Sequence, residues 1–149
     1  MTHYNLALLG FGNVGQALAR LLQRKSASLA ADYDITFTIT AIGTARHGFA
    51  ADLSGLDIDH ALQLVASGAN LSALTSHPTP ADAFELLRLS QADVLFENTP
   101  VNYQTGQPAL SYLRAALELG MHAITANKGP VVHGYRQLTA LAQQRGRKF

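Results

Sequence analysis

The chain has no cysteine among its 149 residues, which rules out disulfides, thiolate metal sites and cysteine nucleophiles together. Charge is scarce as well: Asp, Glu, Lys and Arg make up 14%, against roughly a quarter in ordinary soluble domains. Either a second domain or partner subunit covers part of the surface, or Ser, Thr, Asn, Gln and His solvate it; composition leaves both open. The formal net charge is +1 with no long basic run, so the electrostatic footprint of a nucleic-acid binder is missing. The short basic cluster at 145–148 is explained by the dipole at the end of a last helix. No long apolar run is present. The first one is interrupted by Gly10 and Gly12, and Met1-Thr2-His3-Tyr4 offers no basic start. Neither a membrane span nor a signal peptide is expected, and a cytoplasmic location is. None of the six histidines forms an i,i+4 pair or an H-E-x-x-H arrangement, so no metal site is expected. Ser90 and Ser111 lack the context of a nucleophile elbow, which leaves hydrolase chemistry unsupported.

What is present begins at Leu9-Gly10-Phe11-Gly12-Asn13-Val14-Gly15. Three glycines at G-x-G-x-x-G spacing stand between a short apolar run and a helix-forming stretch that carries Val14, Leu18, Leu21 and Leu22 at helical spacing. That context reads as a dinucleotide clamp. Gly10 permits the tight turn, Gly12 lets the backbone approach a pyrophosphate, and Gly15 lets the helix pack closely on the strand. The phosphates would sit on free N–H groups at the helix N-terminus.

An apolar share of 48% over this length supports one domain with a core. The pattern predicts a strand over 4–9, a helix over 13–29 and a second strand over 35–42, whose apolar and β-branched residues alternate with period two. These make a β-α-β unit with a right-handed crossover. The stretch 43–80 weakens into short pieces, with a helix expected over 59–66 that Asp57 or Asp59 caps. After His77-Pro78-Thr79-Pro80 a short helix is expected over 81–89 with Ala83, Phe84 and Leu87 inward. A strand over 92–97, a helix over 106–119 closed by Gly120, a strand over 121–125 and a helix over 134–145 with Leu138 and Leu141 inward complete the pattern. Such alternation indicates an α/β, Rossmann-like doubly wound parallel sheet in a single domain, with ligands at the carboxyl ends of the strands. The glycine turn, residues 43–47, Asn98-Thr99-Pro100 and Ala126-Asn127-Lys128 all follow predicted strands, so four loops converge on one crevice.

Together with Thr125-Ala126-Asn127-Lys128-Gly129-Pro130, these segments resemble the nucleotide-binding domain of homoserine dehydrogenase in order and spacing. The likeness extends through Tyr103-Gln104-Thr105-Gly106-Gln107-Pro108-Ala109 and Ala115-Ala116-Leu117-Glu118-Leu119-Gly120. It implies hydride transfer between a nicotinamide cofactor, NAD or NADP, and the pair L-aspartate 4-semialdehyde and L-homoserine, a step toward threonine, methionine and isoleucine. It also implies that Phe11, Gly12, Asn13 and Val14 meet the cofactor's diphosphate and ribose, that Thr99 and Pro100 lie beside the nicotinamide riboside, that Asn98 and Asn127 belong to the cofactor site, and that Lys128, also there, reaches the reacting end. There an ammonium could stabilise a developing alkoxide and help deliver its proton.

At the end of strand two, where NAD enzymes often carry an acidic residue, this chain has Thr44 and then Arg46; a guanidinium there favours a 2′-phosphate, hence NADP. His47 could join it. In the family a substrate domain follows, with acidic groups for the substrate's amino end, a second catalytic lysine and a cation site. Residues 1–149 without that domain are expected to bind cofactor with little or no turnover, because substrate must be held at attack distance. The resemblance allows a homodimer. The alternative is a stand-alone NAD(P)-binding sensor, which the absence of an acidic residue after strand two and the presence of Asn127-Lys128 disfavour.

Overall fold

A computed structural model describes residues 1–149. Five strands form one sheet: β1 (Thr2–Leu9), β2 (Ile35–Thr44), β3 (Gly48–Ala51), β4 (Val94–Glu97) and β5 (His122–Thr125). Their spatial order is β3-β2-β1-β4-β5, and every pairing is parallel except that of β2 with β3. Helices α1 (Asn13–Tyr33), α2 (Ile58–Ala66), α3 (Ala83–Ser90), α4 (Ala109–Glu118) and α5 (Lys128–Gln144) cover its faces, with a 3-10 turn at Leu71–Leu74.

The period-two character of β1 divides the core. Ala7 and Leu9 point into a layer built with Leu86, Leu95, Leu113 and Leu138, under α3, α4 and α5. Leu6 and Leu8 point the other way, into a layer with Phe11, Ala19, Ile42 and Ala61, under α1 and α2. A strand buried on both faces reads as a continuous apolar run, which is how Leu6-Ala7-Leu8-Leu9 reads. The doubly wound expectation is therefore met.

Three expectations need correction. The antiparallel β3 has no counterpart in the sequence pattern; Gly48-Phe49-Ala50-Ala51 is too short to show alternation and follows a turn tied by the His47 N–H to the Thr44 hydroxyl at 2.7 Å. The last helix starts at Lys128 instead of residue 134. Pro130 looks like a helix stop, but it stands in the first turn, where a proline N–H would have no helical partner anyway. In α3 the inward residues are Ala83, Leu86 and Leu87, whereas Phe84 is 46% exposed and packs edge-on against Tyr112 at 5.3 Å. Capping follows the sequence more closely: Asp57 accepts from the His60 N–H at 3.0 Å, and Gly120, with φ +85°, follows α4. His122 on β5 accepts the Lys148 N–H at Nδ1 at 3.0 Å.

Candidate cofactor cleft

The register places Gly43, Leu9, Glu97 and Thr125 in one row across β2, β1, β4 and β5. Backbone bonds carry that row one residue further, from Gly10 N to Gly43 O at 2.8 Å, Asn98 N to Leu9 O at 2.7 Å and Ala126 N to Glu97 O at 3.1 Å. The loops that follow therefore leave the sheet side by side. The direction of winding reverses between the parallel neighbours β1 and β4, since β1 leads outward to β2 on one side while β4 leads outward to β5 on the other. A crevice at such a switch point is the usual ligand site of an open α/β sheet.

The crevice there has a volume of about 930 Å³. Gly10, Phe11, Gly12, Asn13 and Val14 form one wall, Asn98, Thr99 and Pro100 the facing wall, and Thr44 and Arg46 one end. Ten of the residues predicted from sequence are thus brought together. The other three, Gly15, Asn127 and Lys128, do not line it. Gly15 lies against the Gly10 carbonyl, which leaves no room for a β-carbon. Asn127 caps α5 by accepting from Gly129 N at 3.0 Å, and its amide donates to the Thr99 carbonyl at 3.1 Å. Lys128 follows it, exposed on the first turn of α5.

Within the walls, roles divide between backbone and side chain. The Phe11 ring is 2% exposed and belongs to the core, so only its main chain serves the cleft. Its carbonyl receives the Gln16 side-chain amide at 3.1 Å. Gly10 has φ +94°, and a β-carbon there would collide with the Asn98 backbone. Thr44 is engaged in its own turn through His47, whose Nδ1 bonds the Ala69 carbonyl at 3.0 Å; a carbonyl only accepts, so this nitrogen carries the proton. Arg46 is exposed at the cleft's end.

Two residues escape the sequence reading. Glu97 is completely buried at the end of β4 and accepts from Thr99 N at 2.7 Å, from the Thr99 hydroxyl, and from the Thr125 hydroxyl at 2.6 Å. The signal is there, as an acid closing the apolar run Val94-Leu95-Phe96. Tyr112 lines the cleft from α4, and burial first, then the Asp82 and Glu97 carboxylates, raise its phenol above the ordinary value. Nothing in its helical spacing distinguishes it from a core residue.

Two observations test whether these residues fit a dinucleotide. The Asn98 side-chain nitrogen is buried and has no hydrogen-bond partner in the protein, a costly condition unless a ligand supplies an acceptor. Gly12 begins α1 with no side-chain cap, and a β-carbon built on it meets no protein atom within 4 Å. The helix N-terminus is thus left open toward the cleft, as a phosphate requires. The residues fit.

The family model for the NAD-binding domain of homoserine dehydrogenase matches residues 10–149. The NAD(+)-dependent homoserine dehydrogenase of Pseudomonas canavaninivorans is 34% identical over 96% of this chain and 41% of its own length. The homoserine dehydrogenase of Methanocaldococcus jannaschii is 30% identical over 95% and 42%, respectively. A hyperthermophilic archaeal homoserine dehydrogenase solved in complex with NADPH superposes with a TM-score of 0.77 over 97% of this chain and 42% of that one; at 24% identity it speaks for the fold alone. The chain spans about two fifths of the length of the curated relatives it matches. No helix is long and apolar enough to cross a membrane. Motif order, sheet topology and these matches agree, and the chain belongs to the family of homoserine dehydrogenase NAD-binding domains.

Proposed function

We propose that residues 1–149 are the cofactor-binding domain of a homoserine dehydrogenase, which reduces L-aspartate 4-semialdehyde to L-homoserine with NAD(P)H once a substrate domain is joined to it. The bound nicotinamide supplies the hydride. The chain's own groups bind and orient it. The open N-terminus of α1 with Gly10, Gly12 and Asn13 takes the diphosphate, Val14 borders a ribose, and Gly15 keeps the helix close enough to present its N–H groups. Asn98, Thr99 and Pro100 border the nicotinamide riboside, with the Asn98 amide supplying its unused donor. Asn127 fixes the loop from which Lys128 reaches toward the reacting oxygen, where its ammonium would stabilise alkoxide charge and deliver a proton.

The observation that carries this reading is that the cleft lined by the uncapped glycine turn is also lined by Asn98, whose side-chain nitrogen is buried and unpartnered. Arg46, exposed at the end of β2 where no acidic residue stands, favours a 2′-phosphate and hence NADP. The domain alone holds no substrate at attack distance, so it binds cofactor with little or no turnover. Calorimetric titration of the 149-residue chain with NADPH and with NADH tests this. Saturable binding of both, tighter for NADPH, is expected. No heat from either at millimolar concentration would sink the assignment, and tighter NADH binding would remove Arg46 from the 2′-phosphate.

A further inference from the structure

Glu97 is a fully buried carboxylate with no cation beside it. The three ion pairs of the molecule join Met1 to Asp34, His77 to Asp52 and Arg88 to Glu85. Its partners are all neutral donors. The Thr99 N–H can only donate, and the Thr125 hydroxyl already accepts the Asn127 N–H at 2.9 Å, so its single proton is free for Glu97. This shell solvates a negative charge without neutralising it, and buried charges ordinarily have a counter-charge. Thr99 is at once a cleft wall and a double donor to this carboxylate. The charge therefore lies one residue behind the wall assigned to the nicotinamide riboside.

We propose that Glu97 acts at a distance on the ring of the bound cofactor, favouring the cationic, oxidised nicotinamide over a neutral ring of the same shape; this rests on the cofactor reading above. At an effective dielectric near 20, any separation of two unit charges up to roughly 10 Å alters binding by about tenfold or more. The raised phenol of Tyr112, another cleft wall, has Glu97 among its causes, so the field of this carboxylate reaches the cleft. Lys128, exposed one strand further on, opposes the effect and is screened by water, whereas Glu97 is not. Glu97→Gln removes the charge and keeps the shape: the amide oxygen can still accept from Thr99, while the Thr125 hydroxyl has to turn from donor to acceptor.

Binding separates these roles. The 149-residue chain is titrated with the oxidised cofactor, the reduced cofactor, and the oxidised cofactor's analogue in which a benzamide ring replaces nicotinamide. Wild type is expected to bind the oxidised form about tenfold more tightly than the benzamide analogue. Glu97→Gln is expected to abolish that preference and to change affinity for the reduced form less than about twofold. Equal affinity of wild type for the oxidised cofactor and the benzamide analogue overturns the proposal without recourse to any variant. So does a Glu97→Gln chain that loses both redox forms equally. If wild type binds none of the three, the cofactor reading fails and takes this proposal with it.

Discussion

Gly10 and Gly12 stand two residues apart and are glycine for different reasons. At Gly10 the protein itself forbids a side chain, through φ +94° and the Asn98 backbone. At Gly12 the φ is −82° and nothing in the protein lies within 4 Å of a β-carbon. On the proposed reading, the demand for glycine there comes from a ligand whose phosphates approach the backbone. Gly12→Ala is accordingly expected to cost the fold no more than about 1 kcal/mol, the loss of a favourable N-cap residue, while weakening cofactor binding by about tenfold or more. Gly10→Ala is expected to lose stability and binding together. Thermal melts and titrations of the two variants check this, and an unchanged affinity in a well-folded Gly12→Ala chain would detach the glycine turn from the diphosphate.

At the scale of elements, the ends of β4 and β5 are joined more tightly than strand pairing requires. Asn127 accepts from Gly129 N to cap α5 and donates to the Thr99 carbonyl, at 6% exposure. It is both cap and strut. Asn127→Ala is expected to destabilise by about 2 kcal/mol, the sum of a lost cap near 1 kcal/mol and an unmade buried bond of similar size. Asn127→Asp keeps the acceptor but sets a carboxylate against the Thr99 carbonyl, so it should fall well below wild type too. Chemical denaturation separates the cases: an Asn127→Asp chain as stable as wild type would reduce the residue to a cap.

Legibility follows the same line between local and distant causes. The glycine turn and the strand ends are readable in the sequence because each has its own local pattern, and the Asn127-Lys128 segment through its resemblance to the family's motif. The start of α5 is not, because Pro130 breaks a helix interior but suits a first turn, and position within the helix is decided by the Asn127 cap. Strand β3 needs the edge of β2 to exist at all. Glu97 and Tyr112 belong to the cleft only through what folding brings beside them.

Across the whole molecule, one sheet separates two cores that never touch directly. Leu8 sits fully buried in the layer under α1 and α2, and Leu113 in the layer under α3, α4 and α5. Yet β1 feeds both layers through alternate residues, so loosening either face frees the strand on which the other is built. The cofactor cleft lies at the end of that same strand. Leu8→Ala and Leu113→Ala are each expected to cost about 3 kcal/mol, lowering the melting temperature by roughly 6–12 °C for a domain of this size. Each should still unfold in a single transition, seen alike by far-ultraviolet circular dichroism and tyrosine fluorescence. If the Leu113 variant instead melted in two steps, with the α1 and α2 layer surviving the first, the halves would be separable units. The cleft between them would then open before the protein unfolds, and cofactor would raise the first transition while leaving the second unmoved.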